Sequence, residues 1–144
     1  MNGPAKLLIG LAAVLAMGWI WHGPAGRGEA LAQALDAQAR AAVASTELAG
    51  IQVRLARHPI RRLAILSGTA DDVQREGLGS QMGINDLVRA VPGISGVRWT
   101  DEPDHGGGLP MLVETLLLVS LGYAAGLGLG RLFFGRRKRR SFLD

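Results

Sequence analysis

Two long apolar runs bracket a stretch of mixed polarity, and within that stretch the apolar spacing switches between helical and strand periods. The run at 109–134, LPMLVETLLLVSLGYAAGLGLGRLFF, holds 26 residues with one acid, Glu114, near its start and one base, Arg131, near its end. A helix rises about 1.5 Å per residue, so roughly 20 apolar residues cross a hydrocarbon core of about 30 Å. A helix also satisfies its own backbone hydrogen bonds in lipid. The run therefore predicts a transmembrane helix. The alternative, a buried core helix, fails on mass, because the rest of a 144-residue chain is too small to wrap such a rod.

The second run, residues 7–21 (LLIGLAAVLAMGWIW), is shorter and follows Lys6. Its length and basic start also suit a signal peptide, for which Gly23-Pro24-Ala25 would be a poor cleavage site. Trp19 and Trp21 at its far end favour a retained span, since tryptophan anchors helices at headgroup level.

Between the runs, residues 22–27 form a Gly/Pro linker and 28–100 a small domain. EALAQALDAQARAAVAS (29–45) predicts a helix with Leu31, Leu35, Ala39 and Val43 along one stripe. Its acids Glu29 and Asp36 lie early and Arg40 late, which suits the helix dipole. Ile51, Val53 and Leu55 alternate with Gln52, Arg54 and Ala56, the pattern of a half-buried strand. His58-Pro59 is a turn, and 61–67 (RRLAILS) is the returning strand of a hairpin. Asp71-x-x-Gln74 is a helix-start signal. Gly77, Gly79 and Gly83 then interrupt the helical spacing, so two helical pieces are expected, 70–76 and 84–91, joined by a loop. Pro92-Gly93 stops the second piece, and 94–100 predicts a third strand with Val97 and Trp99 on one face. Residues 101–108 (DEPDHGGG) are a flexible linker.

The net charge of +4 first suggests nucleic acid, but its distribution excludes that partner. Six Lys/Arg fall within 131–140, whereas 22–108 carries nine Arg against ten Asp/Glu. The basicity belongs to a juxtamembrane tail at 135–144. Arg136, Arg137, Lys138, Arg139 and Arg140 beside one span, and Lys6 with the α-amino group before the other, place both ends in the cytoplasm. Residues 1–6 are then a cytoplasmic N-terminus, and residues 22–108 lie across a bacterial inner membrane, in the periplasm. The chain has no cysteine, so it has no disulfide and no thiolate chemistry.

Leu66-Ser67-Gly68-Thr69 closes the second strand, and Val91-Pro92-Gly93-Ile94 followed by Gly96-Val97 opens the third. With the order helix–strand–strand–helix–strand, these motifs resemble a BON domain over about residues 28–100, half of the chain. The BON family pairs a strand ending in L-S-G-x-V/A with a helix ending in V-x-G-V-x-x-V. The resemblance implies an α+β fold, a small αββαβ domain of the bacterial envelope, here set between two transmembrane helices. It implies no enzymatic activity and no cofactor, and contacts with membrane lipids or envelope partners.

Several candidate sites follow. Gly122, Gly126 and Gly130 form GxxxGxxxG, a groove that admits a second helix backbone. Turning about 100° per residue brings Thr115 and Val119 to the same side. The facing surface would be Gly10, Ala13 and Met17, or Ala12 and Ala16, of the first span, or else a second copy of the chain or another envelope protein. Glu114 is either solvated at the outer interface or held by a polar partner, and Arg131 snorkels to the inner headgroups. Arg54, Arg57, Arg61 and Arg62, with the loop glycines Gly77 and Gly79, form a candidate lipid or partner surface; an ordinary solvated hairpin face is the plainer alternative. His22, His58 and His105 have no metal-ligand spacing, Gly77–Ser80 lacks the ending of a P-loop, and no Ser/His/Asp arrangement is present.

Overall fold

The structure is a computed structural model and describes residues 3–46, 48, 50–103 and 108–134. Two apolar helices, α1 (Gly3–His22) and α5 (Met111–Phe134), flank a small α+β domain, and both are long and apolar enough to cross a membrane. The domain runs α2 (Arg27–Ala44), β1 (Gln52–Arg57), β2 (Ile60–Ser67), α3 (Asp72–Glu76), β3 (Gly77–Leu78), β4 (Gln81–Met82), α4 (Ile84–Arg89) and β5 (Gly96–Trp99).

Alternation builds the main sheet. Its order is β1-β2-β5, with β1 and β2 antiparallel and β2 and β5 parallel. Val53 and Leu55 of β1, Ala64 and Leu66 of β2, and Trp99 of β5 are buried on the side that α2 and α4 cover. Ala39, Val43, Ile84, Val88, Val91 and Ile94 complete this core. The indole N–H of Trp99 donates to Asn85 Oδ1 at 2.9 Å, which satisfies the one polar atom of the largest buried side chain.

A second cluster joins the domain to α5. Met111, the first residue of α5, is 3% exposed and packs with Ala32, Leu35 and Leu55. The domain core thus extends into the start of the apolar helix, beyond the expected boundary at residue 100.

Three expectations are corrected. The buried stripe of α2 is Gly28, Ala32, Leu35, Asp36, Ala39 and Val43, while Leu31 is 50% exposed. Alanine lies on every side of this helix, so periodicity does not mark the face that permits close packing. The segment 77–82 is a two-stranded ribbon, with Gly77 pairing Met82 and Leu78 pairing Gln81. Gly77 and Gly79 have φ of 83° and 63°, a region open to glycine, and this lets the chain turn back after α3. The expected Gly/Pro linker is shorter, because α1 continues to His22 and α2 begins at Arg27. The capping box is present: Asp71 accepts from the Gln74 amide at 2.7 Å, and Gln74 accepts from the Asp71 amide at 3.0 Å.

Candidate functional site

On the sheet face turned away from α2 and α4, alternate positions carry arginine. Arg54 of β1 pairs with Ile65 of β2, and Ile65 with Arg98 of β5, so two arginines flank an apolar residue in one row. Arg61 and Leu63 share that face through their two-residue spacing from Ile65. These side chains line a depression of about 220 Å³ that reaches the hairpin turn at His58 and Pro59. No acid lines it. Among the described residues, no carboxylate lies within ion-pair distance of Arg54 or Arg61. The Arg61 Nε is buried without a hydrogen-bond partner. A buried donor left unpaired costs about 1–3 kcal/mol. Guanidinium forks match phosphate and carboxylate oxygens, and the row is set up for an anion carried on an apolar body.

Of the other two arginines of the expected surface, Arg57 also lines the depression but is paired with acids of α2, and Arg62 lies outside its lining, which corrects that expectation for Arg62. Arg57 Nη1 pairs with Glu29, and its Nη2 lies 3.8 Å from Asp36 Oδ2. Asp36 is 8% exposed, takes Arg40 Nη2 at 2.8 Å and accepts the Leu55 amide at 2.9 Å. β1 is an edge strand, so an amide pointing outward from it has no neighbouring strand to bond; Asp36 supplies the acceptor. The acids of α2 therefore do tertiary work beyond complementing the helix dipole.

Arg62 reaches the apolar helix. Its Nη2 donates to Glu114 Oε1 at 3.1 Å, and its Nε lies 2.9 Å from Oε2 without the alignment of a hydrogen bond. Arg61 forms an isolated bridge with Pro110 just above. Glu114 thus has a polar partner, supplied by the domain. Gly77 and Gly79 belong to the ribbon after α3, beyond the opposite end of β2 from Arg61, so they do not join the arginine surface.

Between the apolar helices, Gly18 faces Leu116, Val119 and Thr115, and Gly10 lies under Tyr123, whose hydroxyl donates to the Leu7 carbonyl at 2.9 Å. Thr115 and Val119 therefore meet α1, while a Cβ at Gly122, Gly126 or Gly130 would meet nothing within 4 Å. Lys6 lies exposed in the first turns of α1, and Arg136–Arg140 fall outside the described residues. Among the described residues, no group of three His, Asp or Glu converges as a metal site.

Two contributors escaped the sequence reading. Arg98 was legible in principle, since it alternates with Val97 and Trp99. Tyr123 is the one tyrosine of the chain, and a phenol inside an apolar run must find an acceptor. No family model, curated protein or solved structure matches the chain.

Proposed function

We propose that this chain is a non-enzymatic, two-pass protein of a bacterial inner membrane that presents a BON-like domain to phospholipid headgroups on the periplasmic side and so contributes to envelope integrity. Lys6 and the basic run 136–140 put both termini in the cytoplasm. The Arg62–Glu114 contact seats the start of β2 against the first turns of α5, which supports a position for Arg61 near the headgroups if α5 spans the membrane.

One observation carries the reading: the arginine-lined depression beside α5, with no acid in its lining among the described residues and with the Arg61 Nε unpaired. Phosphate is the acceptor that a membrane offers there. The test is thermal unfolding of the full-length protein in detergent with short-chain phosphatidylglycerol or phosphatidylcholine. Phosphatidylglycerol stabilises the wild type more than phosphatidylcholine does, and Arg54→Ala/Arg61→Ala removes most of the difference. An unchanged difference in that variant would sink the reading.

A second reading treats the chain as an accessory subunit docking through Gly122, Gly126 and Gly130. It rests on the open space at these glycines. A detergent-stable complex that Gly126→Leu disperses, with lipid stabilisation unaffected by the arginine substitutions, would favour it.

A further inference from the structure

Between α1 and α5 runs an apolar groove of about 350 Å³, lined by Val14, Met17, Gly18, Trp21, Thr115 and Val119. Almost all of its exposed lining is carbon. Gly18 makes the floor low, because it has no side chain where the two helices cross. Val14 to Trp21 spans about 10 Å along the helix axis, roughly two thirds of the depth of one leaflet's hydrocarbon. At the upper end, the guanidinium of Arg27 stands 5.3 Å from the centroid of the Trp21 ring. No carboxylate among the described residues pairs with Arg27.

We infer that this groove holds one acyl chain of an anionic phospholipid whose phosphate is met by Arg27. Three features select that occupant. The groove lies within the span of both apolar helices, where acyl chains are the solvent. Its wall is closed against α5 by Thr115 and Val119, so it accepts a chain and not a helix. Its charged rim carries a cation with no ion-paired carboxylate among the described residues, stacked on the tryptophan that walls the groove. The inference depends on α1 and α5 crossing a bilayer and is independent of the arginine sheet face.

The test is native mass spectrometry of the full-length protein. The protein in mild detergent is mixed with equal amounts of phosphatidylglycerol and phosphatidylcholine bearing the same chains. One phosphatidylglycerol stays bound in preference to phosphatidylcholine. Arg27→Ala lowers that preference about fivefold, the worth of one cation near a charged surface. Met17→Phe, which fills the groove from an exposed position, removes bound lipid of both kinds while the unfolding temperature holds. Arg54→Ala/Arg61→Ala leaves both results unchanged. Equal retention of the two lipids by the wild type would overturn the inference. So would an undiminished preference in Arg27→Ala, or loss of the lipid on removing the sheet arginines with the groove intact.

Discussion

In α1, Gly10 and Gly18 lie directly under side chains of α5, whereas in α5 the glycines at 122, 126 and 130 face open space. The regular four-residue glycine spacing is in the second helix, yet the close approach is made by the first. The reason is what stands opposite. Thr115, Leu116, Val119 and Tyr123 are the side chains that reach across to α1, and each needs a low place to enter. The contact also ends early. Tyr123 already bonds the Leu7 carbonyl, and among the described residues the part of α1 beyond that point is Gly3–Lys6. Gly130 lies about 10 Å further down α5, past most of this remainder. A glycine ridge permits an interface but does not locate one; a facing ridge does.

The comparison breaks first where α5 is fixed to the domain. Met111→Ala empties a buried site shared with Ala32, Leu35 and Leu55 and should cost about 2–5 kcal/mol of unfolding free energy. Denaturant unfolding of the full-length protein measures it, and a cost below that of a surface change would mean that α5 is not part of the domain core. Next come the glycines. A Cβ at Gly18 already lies 3.2 Å from Leu116 and 3.4 Å from Val119, so Gly18→Leu should cost about 1–3 kcal/mol through overpacking. Gly126→Leu should stay within about 0.5 kcal/mol in monomeric protein. Equal effects at the two sites would refute the division between used and open glycines.

The sheet was legible because one face is buried and the other is not. Val53 and Leu55 alternate with Gln52, Arg54 and Ala56, and a slip of one residue would bury Arg54. The start of α3 was legible because a capping box is a local device, closed between Asp71 and Gln74. Other features depend on residues far apart in the chain. Arg57 and Arg54 look alike in sequence, but only Arg57 meets Glu29 and Asp36, because α2 crosses that end of the sheet. Glu114 and Arg62 are 52 residues apart, and only the docking of α5 brings them together. The arginine surface expected from four neighbours in sequence keeps Arg54, Arg57 and Arg61, loses Arg62 to Glu114, and gains Arg98 from another strand.

The Arg62–Glu114 pair gives a smaller effect than the packing sites. Both side chains are partly exposed, so solvent screens the attraction. A double-mutant cycle of Arg62→Ala and Glu114→Gln should return a coupling of about 0.5–1 kcal/mol that shrinks with added salt. A coupling of zero at low salt would show that the Arg62–Glu114 pair does not help hold α5 to the domain.

The smallest effect belongs to the end of the domain away from α5. Arg75 donates to Asp101 Oδ2 at 2.8 Å and to Oδ1 at 3.2 Å, and its guanidinium lies 4.2 Å from the centroid of Trp99. The hydrogen bonds from Arg75, followed by a backbone hydrogen bond and the Arg75 charge, hold the Asp101 carboxyl below the usual aspartate range against a smaller opposing effect of burial, and Asp101 in turn raises Arg75. A depressed carboxyl stabilises the fold fully above its unfolded pKa, about 3.9 for aspartate, and the contribution fades as pH falls through the lower folded value. Arg75 stays charged throughout and adds no pH dependence of its own. Because Asp101 is exposed, the shift in unfolding temperature should be slight. Wild type should therefore exceed Asp101→Asn slightly from neutral pH down to about 4, and the gap should close below that. Taking the difference between the two proteins cancels the other carboxylates to first order. A gap that persists unchanged well below pH 4 would mean that Asp101 acts by packing Arg75 over Trp99, and not by its charge.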